Sequence, residues 1–250
     1  MAPTFEEFLV EAEAEPVEGW DFSWFDGRAT EERPSWAYAE LLGDRMTKAS
    51  AALDLQTGGG EVLAQIPHPP KLLVATEGWP PNAEVARRNL TPLGATVVEV
   101  TEDADLPFAD ESFDLVVSRH PIVANWHEIA RVLRPGGTYL SQRVGDGSNR
   151  ELSEAMLGPL PPVDQNSARK AAAAAEAAGL TVVDLQAESL RVVFDDIGAV
   201  VYFLRKVLWT VPGFTVEKYR PQLAKLHEQI QTKGPFVAHS QRFLIEARKR

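Results

Sequence analysis

An acid and three consecutive glycines follow an apolar run in Ala51-Ala52-Leu53-Asp54-Leu55-Gln56-Thr57-Gly58-Gly59-Gly60-Glu61. Ala51–Leu55 reads as a buried strand. The glycines let the backbone turn sharply and let a ligand approach where a Cβ would stand in its way. Asp54, at the strand end, can hold a cation or a hydroxyl. Such a turn suits a nucleotide-like cofactor, and spacing removes two versions of it. A dinucleotide turn, Gly-x-Gly-x-x-Gly, counted from Gly58 puts its third glycine on Leu63, and a phosphate-binding turn has no lysine nearby to use. Glu77 ends a second apolar run, Glu102 and Asp103 follow a third, and Ser118-Arg119-His120-Pro121 follows a fourth. Taken alone, Glu77 reads as a solvated strand-end acid. Imidazole titrates near neutrality, so His120 is a candidate general base. Its alternative roles are shaping a pocket or capping the next helix. His120, His127 and Glu128 lack close ligand spacing, so no metal is expected.

These residues need a scaffold, and the hydrophobic pattern describes one. Strand-like runs fall at 51–55, 71–76, 96–100, 113–118, 138–142, 181–185 and 241–247. Helical periodicity falls at 4–14, 34–48, 80–90, 123–133, 167–178, 195–208 and 216–232. Thr4 and Glu7 are spaced as a capping box, Pro34 is placed to open the second helix, and Gly179 is placed to close the alanine-rich one. Strands alternating with helices predict an α/β fold with a doubly wound, mostly parallel, seven-stranded sheet. Ligands of such sheets bind at the carboxyl ends of the strands, where the glycine turn lies. A helical segment precedes the sheet and a helical insertion precedes its last strand. We expect a single domain over 1–250, with an N-terminal helical and aromatic lid (1–49), a cofactor-binding core (50–145) and a C-terminal part (146–250).

Composition narrows the partners. The 250 residues carry a formal net charge of −11. Their basic residues are scattered, which disfavours a polyphosphate partner. There is no cysteine, so disulfide and thiolate chemistry are excluded. The first residues are acidic rather than a basic-then-apolar signal, and no apolar stretch is long enough to span a bilayer. A cytoplasmic protein acting on a small partner, with no membrane association, is expected. The sequence singles out no oligomeric state.

Four stretches occur in order: Asp54-Leu55-Gln56-Thr57-Gly58-Gly59-Gly60; Val74-Ala75-Thr76-Glu77; Glu102-Asp103-Ala104-Asp105-Leu106-Pro107-Phe108 with Phe113-Asp114-Leu115-Val116-Val117; and Val132-Leu133-Arg134-Pro135-Gly136-Gly137-Thr138. Together they resemble the class I S-adenosylmethionine-dependent methyltransferases. That family carries Asp-x-Gly-x-Gly-x-Gly after its first strand and an acid at the end of its second. It then shows an acid and Leu-Pro-Phe before a Phe-Asp-x-Val strand, and a Leu-x-Pro-Gly-Gly turn before the fifth. The resemblance covers residues 50 to 145 and is nearest the branch of quinone and small-molecule methyltransferases.

The resemblance implies S-adenosylmethionine as cofactor and methyl transfer to a small, apolar or aromatic acceptor by in-line displacement. It implies that Asp54, Gln56, Thr57, Gly58 and Gly60 line the methionine end. Glu77 with Gly78 would hold the ribose, Glu102 or Asp103 would meet the adenine amino group, and Ser118 would lie beside the cofactor. His120 falls where members place residues near the methyl group, so it is a candidate for catalysis and for substrate binding. Trp20, Trp24 and Trp36 precede the first strand of the core, where members place a lid over the substrate. Asp114 and the Pro135–Gly137 turn look structural. The chain departs from the family at Gln56, which stands where the first glycine belongs. A side chain there narrows the methionine pocket or donates to its carboxylate. Two alternatives stay open: a non-catalytic cofactor-binding or interaction protein that kept the fold, and an RNA methyltransferase. The segment after the fourth strand is not Asn/Asp-Pro-Pro-Tyr/Phe, the signature of base or amide nitrogen methylation, which disfavours the second.

Overall fold

Every residue of Ala51–Leu55 is buried, with Ala51, Leu53 and Leu55 packed into one core and Ala52 into another. That is the behaviour of a strand covered on both faces, as parallel sheets require. The computed structural model describes residues 3–17, 22–163 and 167–250. Trp20 lies outside the described residues. The strands are β1 (Ala29–Glu31), β2 (Ala51–Leu55), β3 (Leu72–Glu77), β4 (Thr96–Glu99), β5 (Phe113–Arg119), β6 (Leu133–Val144), β7 (Leu180–Phe194) and β8 (Phe236–Lys249). The helices are α1 (Phe5–Ala14), α2 (Tyr38–Lys48), α3 (Pro80–Leu90), α4 (Trp126–Val132), α5 (Arg150–Leu157), α6 (Ser167–Ala177), α7 (Ile197–Lys206) and α8 (Val216–Lys233).

The sheet order is β1-β7-β8-β6-β5-β2-β3-β4. β2 pairs in parallel with β3 and β5, β3 with β4, and β5 with β6, while β8 runs antiparallel to β6. The chain therefore steps outward from β2 in one direction through β3 and β4, then returns to β5 on its other side. This is a mixed α/β, mostly parallel fold, with eight strands among the described residues rather than the expected seven. The additional strand, β1, pairs antiparallel with the end of β7. It is three residues long, too short for alternation to reveal it.

The chain forms two compact units. One comprises Met1–Arg33, Asp146–Gln165 and Ser189–Gln241; the other comprises Pro34–Gly145, Asn166–Glu188 and Arg242–Arg250. In the first, α1 joins α7 and α8 in a core that includes Phe8, Leu9, Tyr202, Leu223 and Phe236. Thr4 and Glu7 close the capping box of α1. In the second, α2 and α3 cover one sheet face through Tyr38, Leu42, Met46, Ala86 and Leu90. There α4 and α6 cover the opposite face through Ile129, Val132 and Ala175.

Some element boundaries differ from expectation for local reasons. α2 begins at Tyr38 rather than Pro34, because Trp36 is drawn into the core and Ala37 takes a left-handed φ of 45°. The backbone N–H and hydroxyl of Ser35 both bond Glu188, which holds this entry extended. β7 and β8 outrun the alternation seen in sequence, because only parts of them alternate cleanly. The β2–β3 connection carries a single 3-10 turn, Leu63–Gln65, before the prolines at 67, 69 and 70.

Asp114 ties the start of β5 to the start of β2. Its carboxylate accepts from the N–H groups of Ser50 (3.0 Å) and Ala51 (3.0 Å) and from the Ser50 hydroxyl. Burial alone would raise its pKa, but these bonds and Arg134 outweigh it and hold the carboxyl below its usual value. Asp114→Ala is therefore expected to lower stability by about 2 kcal/mol in urea unfolding, the loss of bonds to a charged acceptor. A change within error would remove Asp114 as the link between these strands.

Candidate active site

The glycine turn lies at the carboxyl end of β2, between β3 and β5, where the strand order reverses. Open α/β sheets place their ligand crevice at this point. Hydrogen bonds to β3 and α3 hold the turn. Thr57 N donates to Thr76 O at 2.9 Å, Gln56 N to Thr76 Oγ1 at 3.2 Å and Gly58 N to Glu77 Oε2 at 2.8 Å. Asn89 Nδ2 donates to Gly59 O at 2.8 Å. Gly60 has φ +76°, and a Cβ there would stand 2.9 Å from Leu90 Cγ. Its glycine therefore serves the seating of α3.

Three acids converge on the turn. Asp54 is 8% exposed and accepts from Thr57 Oγ1 at 2.7 Å. Burial pushes its carboxyl up to about 7; the Thr57 bond opposes the shift and the Glu77 charge adds to it. Burial likewise raises Glu77, against the N–H groups of Trp79 (2.9 Å) and Gly58. The charge of Glu102 raises it further. Glu102 comes close because Gly78 has no side chain. A Cβ on Gly78 would meet Val100 O at 3.0 Å and Glu102 Oε1 at 3.2 Å. Glu102 lines a cleft with Leu55, Gln56, Thr76, Val123 and Asn125, and no lysine or arginine is among the lining residues. Asp103, the other sequence candidate, is exposed and does not line this cleft.

The facing wall is the loop from His120 to Asn125. Gln56 reaches it with both ends of its carboxamide. Nε2 donates to Val123 O and Oε1 accepts from Ile122 N, each at 2.7 Å. Gln56 does this from a left-handed φ of +56°. That conformation costs a residue with a Cβ about 1–2 kcal/mol. Each hydrogen bond returns on the order of 1 kcal/mol, so it takes both bonds to hold glutamine in this turn.

His120 also has a positive φ, +55°, and its N–H donates to Gln142 O at 2.7 Å. The Trp36 indole N–H, a donor only, bonds Gln142 Oε1 at 2.8 Å. Gln142 must then present its NH₂ to His120 Nε2, 2.9 Å away. That assigns the imidazole proton to Nδ1. Burial, with the charges of Arg119 and Arg242, holds the imidazole well below its usual pKa. Near pH 7 His120 is a neutral ring whose Nε2 lone pair is already engaged.

The remaining candidates sit as follows. Ser118 is 1% exposed, its hydroxyl bonded to Tyr139 and Ser141, while its carbonyl accepts from Tyr38 at 3.1 Å. Trp36 is buried in the core beside α2. Trp24 belongs to the other unit, packed at 4.9 Å on Tyr202 with the Arg28 guanidinium 4.1 Å over its ring. Several contributors carried no sequence signal. Gln142 and Tyr38 act through tertiary contacts. Trp79, 48% exposed beside Glu77, follows the strand-end acid by two residues, the one pattern that pointed to it. Glu128 and Arg131 brace the Leu106–Phe108 segment. Leu106 N donates to Glu128 at 2.7 Å, and Arg131 donates to the carbonyls of Phe108 (2.7 Å) and Leu106 (3.0 Å).

Residues 53–141 match the family model of the methyltransferase domain. Over 222 residues the chain is 25% identical to a malonyl-[acyl-carrier protein] O-methyltransferase of Marinomonas sp. (strain MWYL1), covering 81% of this chain and 82% of that protein. Its fold is similar to the YcgJ protein of Bacillus subtilis, with a TM-score of 0.62 at 18% identity over 85% of this chain and 97% of that one. It is also similar to a geranyl diphosphate methyltransferase solved in complex with S-adenosylmethionine, with a TM-score of 0.51 at 16% identity over 86% and 85%. These neighbours share the doubly covered sheet, which in this chain has the glycine turn at its switch point. The match to the methyltransferase-domain model spans β2 to β6, the part of the chain that holds the glycine turn and its acids.

The raised Asp54 has a consequence for stability. Folded, it binds a proton between about pH 4 and 7 where the unfolded chain does not, so it contributes a loss of stability as pH rises through that window. Asp54→Asn is expected to gain stability over wild type in urea unfolding, with a larger gain at pH 8 than at pH 5. An equal gain at both pH values would show that Asp54 titrates like a free carboxyl.

Proposed function

We propose that this protein transfers the methyl group of S-adenosylmethionine to a small acceptor, and that residues 1–250 work as one domain for that purpose. The observation that carries the reading is the charge of the cleft. Glu102 lines the cleft with no basic residue among the lining side chains, and behind it Glu77 is raised by Glu102 and Asp54 by Glu77, an arrangement suited to a cationic ligand. When bound, the cofactor supplies an electrophilic methyl on a sulfonium, open to in-line displacement. Asp54, Thr57, Gly58 and Gly60 would face its methionine end, Glu77 and Gly78 its ribose, and Glu102 its adenine amino group. Ser118 acts indirectly, through the carbonyl that anchors Tyr38.

His120 enters this reading as a neutral wall residue and Nδ1–H donor. With its Nε2 lone pair engaged by Gln142, it is not poised to take a proton. The acceptor then needs to be a nucleophile at working pH without deprotonation by that side chain, and much of the rate comes from holding two partners in line, out of water. An apolar or aromatic acceptor body fits the exposed Trp79, Ile122 and Val123 around the glycine turn and its facing loop. A carboxylate oxygen as acceptor atom is a second reading. It needs no base, and the relative from Marinomonas is an O-methyltransferase of a malonyl group on a carrier protein. The acidic net charge and absence of cysteine support a cytoplasmic setting and disfavour RNA as acceptor. Among the described residues no helix is long and apolar enough to cross a membrane.

Calorimetry with S-adenosylmethionine and S-adenosylhomocysteine tests the reading, and both are expected to bind. Glu77→Gln keeps an acceptor oxygen but loses the charge. It is expected to weaken binding by about tenfold or more, as for a bond to an ionised group. Unchanged affinity in a folded variant would place the ribose contact elsewhere.

A further inference from the structure

Gln56 joins the two walls of the cleft. The loop it grips is held at its start by His120, whose backbone and ring both meet Gln142 of β6. At its end, the Asn125 side chain accepts from Glu128 N and caps α4. Between those anchors, Ile122 is 71% exposed and Val123 42%. Apolar burial therefore does little to hold the middle of the loop, and the Gln56 carboxamide bonds both of these residues. A strained φ retained at a ligand-facing turn is the kind of outlier that marks function.

We propose that Gln56 is a positioning residue that couples the glycine turn to the 120–125 loop, so that a ligand on the turn sets the conformation of that loop. The identity of the ligand rests on the methyltransferase reading above. The carboxamide offers one donor and one acceptor, and Ile122 N–H with Val123 C=O offers the matching pair. A zwitterionic amino-acid end, ammonium beside carboxylate, presents the same pair of functions. It competes with the loop for the carboxamide, and the loop responds. Glycine at position 56 would relax the backbone and sever this link.

Two measurements on the whole chain test the coupling. One is amide exchange across 120–125, expressed as protection factors; the other is S-adenosylhomocysteine affinity by calorimetry. The proteins are wild type, Gln56→Gly and Gln56→Glu. In wild type, S-adenosylhomocysteine is expected to change protection of Ile122 and its neighbours by about tenfold. Gln56→Gly is expected to lose that protection without ligand and to lose the response, while its melting temperature holds or rises because the turn is relaxed. Gln56→Glu at neutral pH is expected to match Gln56→Gly, since a carboxylate only accepts. As pH falls and the side chain is protonated, it regains a donor and the protection returns. Loop protection in Gln56→Gly equal to wild type overturns the proposal. So does a lowered melting temperature in both variants with no return at low pH, the mark of a purely structural glutamine. If wild type binds no S-adenosylhomocysteine, the proposed function fails and the coupling falls with it. Binding with an unresponsive loop overturns the coupling alone.

Discussion

The buried carboxylate of Glu77 is the constraint on which the cleft depends. It sits at the end of β3 and accepts from Gly58 N on one side and Trp79 N on the other. One acid thus sets the glycine turn, the start of the α3 connection and the position of an exposed tryptophan. Burial favours its neutral form and the two backbone donors favour its charged form. Carboxylates at this depth are tolerated because the backbone supplies donors, as buried polar groups demand. The nearby charges of Asp54 and Glu102 then make the site a place where added positive charge is stabilised.

The motifs divide by what they hold. Asp114 bonds Ser50 and Ala51, so the Phe-Asp pair registers β5 against β2 rather than touching the cleft. The Leu-Pro-Phe segment is braced from α4 by Glu128 and Arg131, which fixes the approach of the 100–108 stretch to the strand ends. Gly137 lies within β6, in the stretch where its register against β5 shifts, and a Cβ there would meet Arg134 O at 2.8 Å.

The sheet core was legible in the sequence because strands buried on both faces read as continuous apolar runs. Ala51–Leu55 and the parallel sheet around it followed from that. Glu77 and Glu102 were legible as strand-end acids, and only the missing side chain of Gly78 separates Glu102 from the exposed Asp103. What escaped the sequence depends on partners far along the chain. Trp36 read as a lid residue, yet its indole N–H finds Gln142, and that contact delays α2 and assigns the tautomer of His120. An amide side chain has no periodicity and no preferred neighbour, so nothing in the sequence pairs residues 36, 120 and 142. The eighth strand escaped for a different reason, since three residues cannot show a period.

Two residues with side chains, Gln56 and His120, hold left-handed backbone on facing walls of the same cleft. Each is stabilised by a glutamine-type bond pair: Gln56 by its own amide to Ile122 and Val123, and His120 by the amide and carbonyl of Gln142. Strain of this sort persists only where the surroundings over-determine it. A glycine at position 56 would make the turn cheaper and leave the loop's centre exposed and unheld. The glutamine therefore trades backbone ease for a connection between walls. A methyltransferase gains from that exchange if its acceptor side must be arranged when the cofactor side is filled, because positioning is most of what such a site contributes to the rate.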